Sequence, residues 1–265
     1  MKKQKSEYSI QTVANALKLL EAFRDEEELG VTELSRRLDL HKNNVFRLLA
    51  TLELQGYIEQ SAFSDRYRLG TGCLELGQSF FRSRVLLRRA RPLLEEMAGR
   101  SGESSHLAVM RDFDVIHLDG VASNQLVATG LRVGRCLPLH CTALGKVLLG
   151  CSSKTVHEEY DRTRIADCPL ASLTPATIVD SQKLFDQIRS AAVQGYALDV
   201  EECEPGLTCA AAPVFGGERD VVAAVSVSAP AFRMSEERLL GEIVPLVVDA
   251  AARLSRELGF ASPAN

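Results

Sequence analysis

The stretch from Val31 to Gln60, VTELSRRLDLHKNNVFRLLATLELQGYIEQ, constrains the fold more than any other part of the chain. It holds two short helical patterns separated by a polar turn. In the first, Leu34 and Leu38 are four residues apart and share a face, Leu40 closes the segment, and Thr32 before Glu33 is the expected N-cap. The tetrad His41-Lys42-Asn43-Asn44 can hold a tight turn and cap the next helix. Val45, Leu48, Leu49 and Leu52 then repeat at the i, i+3, i+4, i+7 spacing of a buried stripe, which turns Asn44, Arg47, Ala50 and Thr51 off the core side. Gly56 can end the helix, Tyr57 to Gln60 reads as a strand, Ser64-Asp65-Arg66 as a turn, and Tyr67 to Leu69 as the returning strand. The pattern predicts a winged helix-turn-helix.

The second helix has the chemistry of a major-groove reader, since base edges are recognised by the donor geometry of Arg, Lys, Asn and Gln. Lys42, Asn43, Asn44 and Arg47 supply it, and no acid occurs from Leu40 to Leu52. Asn43 or Asn44 as a simple helix cap and Arg47 as a solvated cation is the competing reading. Arg36, Thr51 and Arg66 complete the expected contacts to double-stranded operator DNA. The net charge is −4, but local charge decides DNA contact. Basic residues gather at Lys2, Lys3 and Lys5, at Arg36/Arg37, at Lys42/Arg47 and at Arg66/Arg68, while the acids of Asp25 to Glu28 are expected on a loop away from DNA.

At 265 residues, 46% hydrophobic and 25% charged, the chain has room for two globular domains. No apolar run approaches the ~18 residues of a membrane span and the Lys-rich start leads into no secretory core, so a cytoplasmic protein is expected. Seven Cys without a C-x-x-C pair indicate neither a disulfide framework nor a metal site, and no cofactor motif is present.

Taken in order, Ser9 is the expected N-cap of a first helix striped by Val13, Ala16, Leu17, Leu20 and Phe23. The head occupies residues 1–70. Gly70-Thr71-Gly72 marks a break before a linker helix over 71–90, whose Leu74, Leu76 and Phe80-Phe81 need burial in a partner subunit or within the chain. Arg82 to Arg91 holds five Arg and no acid, the pattern of a solvated helical face. The helix runs on through Leu93, Leu94 and Met97 to Gly99–Gly102. In the second domain, over 91–260, β-like runs cover His106–Met110, Val115–Val121 and Leu126–Val133. Helices come next at 142–149, 155–160 and 178–194, then strands at 196–200, 207–215 and 221–228, and a last helix from Ser235 to Leu258. This order predicts an α+β domain around a mostly antiparallel sheet.

Two segments of this domain carry chemistry. Leu137 to Lys146 turns from loop into helix, and the N–H groups of such a helix start favour an anion. Gly195 to Cys209 sets Asp199, Glu201 and Glu202 against an apolar strand, with Ser226 and Ser228 on one face of the next. A small polar metabolite suits such a grouping, although each residue alone is ordinary: Cys209 as a small buried hydrophobe, His140 as a structural histidine. Because an acid facing an anion is repelled, Asp199 is expected either to be protonated or, the favoured arrangement, to bond a hydroxyl or backbone donor while the helix start takes the ligand's charge. Cys209 as nucleophile with His140 or His106 as base is the enzyme reading, and a thiol-based redox sensor is its neighbour. No nucleophile elbow, phosphate loop or metal spacing supports catalysis.

With these residues in view, the chain resembles the IclR family of bacterial transcription regulators over nearly its whole length. The resemblance lies in T-E-L-S-R-R-L, R-L-L-A-T-L-E and G-Y in the head, in L-P-L-H-x-T-A-x-G-K, and in Gly195, Asp199, Glu202 and Cys209 followed by A-A-P-V-F. It implies a winged helix-turn-helix, a dimerising linker helix and a GAF-like effector domain that pairs dimers into tetramers. It places a pocket for a small organic or aromatic acid on Leu126, Thr129, Leu137, Ala143, Leu144, Asp199, Leu207, Cys209, Ser226 and Ser228. The turn His41-Lys42-Asn43-Asn44 departs from the Pro-Lys-Ser-Thr common in relatives, so the operator does not carry over. Leu144 and Thr129 sit where the family varies, so neither does the effector.

Overall fold

The structure, a computed structural model, describes residues 9–166 and 169–260. Lys2, Lys3 and Lys5 lie outside them. The chain divides into two compact units between Arg84 and Val85.

In the first unit α1 (Gln11–Glu21), α2 (Val31–Leu38) and α3 (Lys42–Leu54) precede the hairpin of β1 (Ile58–Gln60) and β2 (Tyr67–Leu69), and α4 (Thr71–Ser83) comes after it. Leu19, Phe23, Leu29, Leu34, Val45, Leu49, Ile58 and Tyr67 form its core. The expected stripe of α3 is thus the one that is buried, with Leu48 and Leu52 at its margin. Two expected caps move. Ile10, not Ser9, precedes α1 and makes no side-chain cap bond. Glu33 serves α2 by accepting from the Gly30 N–H at 2.9 Å, which puts Thr32 inside the helix. Asp39 turns the chain in the left-handed region at φ 51°, and His41 caps α3 by accepting from the Asn43 N–H.

The expected continuous helix through residue 90 is interrupted. Arg84 is extended (φ −95°, ψ 114°), so α4 ends at Ser83 and α5 (Val85–Ser101) begins afresh in the second unit. Leu74, Leu76, Phe80 and Phe81 are all exposed on α4, and no described residue of that helix is buried.

The second unit is a six-stranded sheet in the order β5-β4-β3-β8-β7-β6, every neighbouring pair antiparallel. Its strands are β3 (Ser104–Arg111), β4 (Asp114–Val121), β5 (Cys136–Pro138), β6 (Ala197–Val200), β7 (Leu207–Phe215) and β8 (Val221–Pro230). Helices α6 (Ala143–Gly150), α7 (Lys154–Tyr160) and α8 (Ser181–Gln194) lie between β5 and β6. The short α9 (Glu236–Arg238), a π-helical turn (Leu239–Ile243) and α10 (Val244–Glu257) complete the chain. One core joins Leu94 and Met97 of α5 and Val247 and Leu254 of α10 to Leu107, Val225 and Val227. The other joins Val147 and Leu148 of α6 and Ile188 and Ala191 of α8 to Ala108, Ala211 and Ala224. Alternate residues of β3, β7 and β8 therefore serve opposite cores, and both faces of the sheet are covered.

Leu126 to Val133, expected as a strand, is a loop; the strand forms one step later at β5 and pairs with β4. The run is apolar, but Leu126, Val127, Leu131 and Val133 stay exposed. Its middle is tethered instead, the Ser104 hydroxyl donating to the Thr129 carbonyl at 2.8 Å and the Thr129 hydroxyl to that of Ser228 at 3.2 Å.

Every residue of α6 is buried. A Cβ on Gly145 would meet the Leu139 carbonyl oxygen at 2.1 Å, a backbone contact with no room to yield. We expect Gly145→Ala to destabilise the second unit by at least about 2–3 kcal/mol, read as a lower urea midpoint. Gly99→Ala on α5, where a Cβ meets nothing within 4 Å, should stabilise by roughly 0.5–1 kcal/mol.

Candidate functional site

On α3 the side opposite the core presents Lys42, Asn43, Asn44 and Arg47, all exposed. Asn44, Arg47 and Thr51 line a shallow surface hollow with Thr12 and Asn15 of α1. Thr51 is exposed, and its hydroxyl donates to the Arg47 carbonyl at 2.8 Å, common for a mid-helix threonine. Arg36 is exposed on α2. Arg66 is held by the Glu33 carboxylate at 2.8 Å and the Glu28 carbonyl at 2.9 Å, and Arg68 by Glu59 at 2.6 Å. The acids of residues 25–28 likewise do not stand apart: Glu26 pairs with Arg37 at 2.6 Å and Glu28 accepts from Ser64. Acids on a short loop settle on the nearest cations. Such exposed pairs are weak and phosphates can displace them.

The second unit contains a small, partly open cavity lined by both polar and apolar side chains. Cross-strand register builds its floor: Asp199 faces Cys209, Cys209 faces Ser228, and Ser228 faces Ser104, a row across four strands. One row further along, Ser226 stands beside His106, and His117 of β4 meets the His106 ring edge to face at 5.3 Å. Thr129 and Arg132 come from the tethered loop, Leu137 from β5, and Thr142, Ala143 and Leu144 from the start of α6; Cys203 and Leu207 close the far side. The space open to water-sized spheres is about 30 Å³, room for roughly one or two waters.

The residues expected here from sequence thus come together with one exception. Leu126 is fully exposed and does not line the cavity, because the loop turns its apolar side outward before Thr129 is tethered. His117, Arg132, Thr142 and Cys203 line the cavity unanticipated, and His106 lines it although the sequence suggests it only as a base.

The electrostatics of the lining are uneven. Asp199 is 1% exposed, and its Oδ1 accepts from the Glu202 N–H at 2.8 Å and the Cys203 N–H at 3.3 Å, the backbone arrangement expected of it. Burial nevertheless pushes its carboxyl up to about 7 against those bonds, with the Glu202 charge adding to the rise. Burial pushes His106 down to about 3, with His117 and Arg132 adding, and His117 down to about 4, so both imidazoles are neutral. Arg132 keeps its charge and pairs with Glu204 at the rim. The first-turn N–H groups of α6 add a positive end; the Thr142 hydroxyl accepts from Gly145 at 3.1 Å.

Among the described residues His106 Nδ1, both nitrogens of His117 and the Ser226 hydroxyl are buried with no hydrogen-bond partner. An orphaned polar atom costs about 1–3 kcal/mol. Four in one place mark a site built for something else to satisfy.

Neither Cys209 nor His140 gives much to a catalytic reading. Burial holds Cys209 well above its ordinary range, and His140 Nε2 bonds the Ala171 carbonyl at 2.9 Å, a structural role. Cys203 is held below its ordinary range by contact with the Cys141 thiol, although burial opposes this.

Comparison with known proteins agrees with both halves of this geometry. Residues 12–62 match the IclR helix-turn-helix domain and residues 78–256 the bacterial transcriptional regulator IclR C-terminal domain. The HTH-type transcriptional regulator XynR of Escherichia coli is 33% identical over 256 residues, covering 95% of this chain and 98% of the relative. The HTH-type transcriptional regulator KdgR of the same organism is 33% identical over 258 residues, covering 95% and 94%. Among solved structures, a putative IclR transcriptional regulator from Silicibacter is 28% identical, with TM-score 0.81 and coverage of 95% and 98%. An IclR homologue from Microbacterium hydrocarbonoxydans, complexed with 4-hydroxybenzoate, is 26% identical, with TM-score 0.79 and coverage of 93% and 98%. The chain belongs to the IclR family of bacterial transcription regulators, with a DNA-binding helix-turn-helix and an effector-binding C-terminal domain.

Proposed function

We propose that the protein is a regulator whose cavity binds a small organic acid and whose grip on operator DNA changes when it does so. The observation that carries this reading is the cluster of unpartnered buried atoms on His106, His117 and Ser226, set beside the Arg132 cation and the start of α6. In the assignment we favour, Arg132 and the first-turn N–H groups of α6 take the carboxylate. The neutral imidazoles and the Ser226 and Ser228 hydroxyls bond its remaining oxygens, and Leu137, Leu144 and Leu207 pack on its carbon frame. The homologue complexed with 4-hydroxybenzoate supports a small organic or aromatic acid as the ligand class, which needs the present 30 Å³ to widen on binding. Entry requires the loop carrying Thr129 and Arg132 to lift, which breaks only a few side-chain bonds.

The exposed apolar side of α4 supports a homodimer joined through Leu74 to Phe81, and the family likeness a pairing of such dimers. Two heads related by a two-fold axis suit a symmetric or repeated operator. An effector shifts their arrangement by binding one form better than the other, a coupling of typically ~1–3 kcal/mol. Altered operator grip or altered polymerase recruitment are the two outputs open to such a switch.

Four outcomes are expected. The double variant Ser226→Ala/Ser228→Ala should lose the effector response in a DNA-binding assay while holding operator affinity, and Asp199→Asn, compared below pH 7, should weaken the effector less than the double change. Asp199 is neutral below about pH 7 and ionised above it, and a charge within ~4 Å of an anion costs about 4 kcal/mol at a dielectric of ~20. Calorimetry should therefore find effector affinity falling as pH rises through 7, and flat in Asp199→Asn; a cationic or wholly apolar tight binder would contradict the reading. In the head, Arg47→Ala and Lys42→Ala should weaken operator binding with the fold intact, by ~1–3 kcal/mol if Arg47 reads a base. Unchanged affinity in both would remove α3 as the reader. Light scattering should give a dimer or tetramer at micromolar concentration, and a monomer with full operator affinity would refute the pairing.

A further inference from the structure

Phe46 is 56% exposed, at the fifth position of α3. Along the helix it lies beside Lys42 and Asn43 before it and Leu49 and Ala50 after it, at the edge of the buried stripe with its ring exposed. It belongs to no core cluster, and no ring contact to it is made among the described residues. A lone exposed ring is ordinary on a protein surface, but in the first two turns of such a helix it is placed for a use outside the fold. Its neighbours say what that use is. Lys42, Asn43 and Arg47 surround it with donors and cations, and the first acid of the helix is Glu53, near its far end. That setting suits the polyanionic major groove and is poor for an apolar protein surface.

Base edges in the major groove are donors and acceptors with one exception, the 5-methyl group of thymine, and a Phe side chain is a recognised partner for it. We infer that Phe46 is a specificity-determining residue that reads a thymine 5-methyl in each operator half-site. Asn43 and Arg47 on the same exposed side hydrogen-bond the neighbouring bases, and Ala50 leaves space for the ring to lie against the base edge. The inference rests on α3 being the recognition helix.

In vitro selection of random duplexes by the full-length wild type and by Phe46→Ala tests it. The wild type should select a symmetric sequence with a fixed thymine in each half, and the variant should select the same sequence with that position relaxed. Replacing that thymine by deoxyuridine, which removes only the methyl, should weaken the wild type about three- to fivefold per half-site, as expected for exposing one methyl to water. Phe46→Ala should be indifferent to the same replacement. An exposed ring contributes little to the fold, so the urea midpoint of the variant should match the wild type. Retention of the thymine by Phe46→Ala, or wild-type indifference to deoxyuridine, overturns the inference while leaving α3 as the reader. Selection of no sequence by the wild type removes α3 as the reader, and this inference with it.

Discussion

Lys146 is the largest fully buried side chain among the described residues, and the cavity depends on how its charge is met. Its ammonium donates to Glu202 Oε1 at 2.5 Å and to the Leu198 carbonyl at 3.0 Å. Burial pushes the Glu202 carboxyl up and the lysine opposes it. A buried charge that loses its partner costs about 3–5 kcal/mol, so the pair fixes the distance between the elements that carry it. Those elements are α6, whose first turn bounds the cavity, and the turn after β6, whose N–H groups hold Asp199. One ion pair therefore sets both walls, and the absence of a Cβ at Gly145 lets α6 pack directly on the Leu139 backbone that leads into it.

The two polar surfaces of this protein operate under different rules. Around α3 each side chain is hydrated, ion pairs are weak, and an incoming phosphate can outcompete a carboxylate. In the cavity water is nearly excluded, and two imidazoles that elsewhere would titrate near neutrality stay uncharged. The cation that lines it, Arg132, is carried by a loop with few bonds to the sheet.

Much of this is legible in the sequence. The stripe of α3 is readable because burial of a short helix leaves only one spacing open to it, and β7 and β8 because strands covered on both faces are apolar but for Thr208, Ser226 and Ser228. Local patterns fail where partners are distant in the chain. Arg66 reads as a free cation until Glu33 is placed beside it, and His117 and Arg132 reach the cavity through strand register and a loop. Leu126 to Val133 has strand composition without a neighbouring strand to accept it. Phe46 escapes notice for a related reason: an apolar residue in a sequence points first to a core.

The extended residue at Arg84 divides one helical run into α4 and α5, and each side of it keeps a hydrophobic core of its own. Core packing, the strongest restraint on sequence change, is thereby confined to each side separately. A substitution that retunes the cavity need not be compensated in the head, and one that alters base reading need not be compensated in the sheet. Such a chain can acquire a new signal or a new set of target sites by independent routes, and a fragment joined at this position inherits a complete core from either parent.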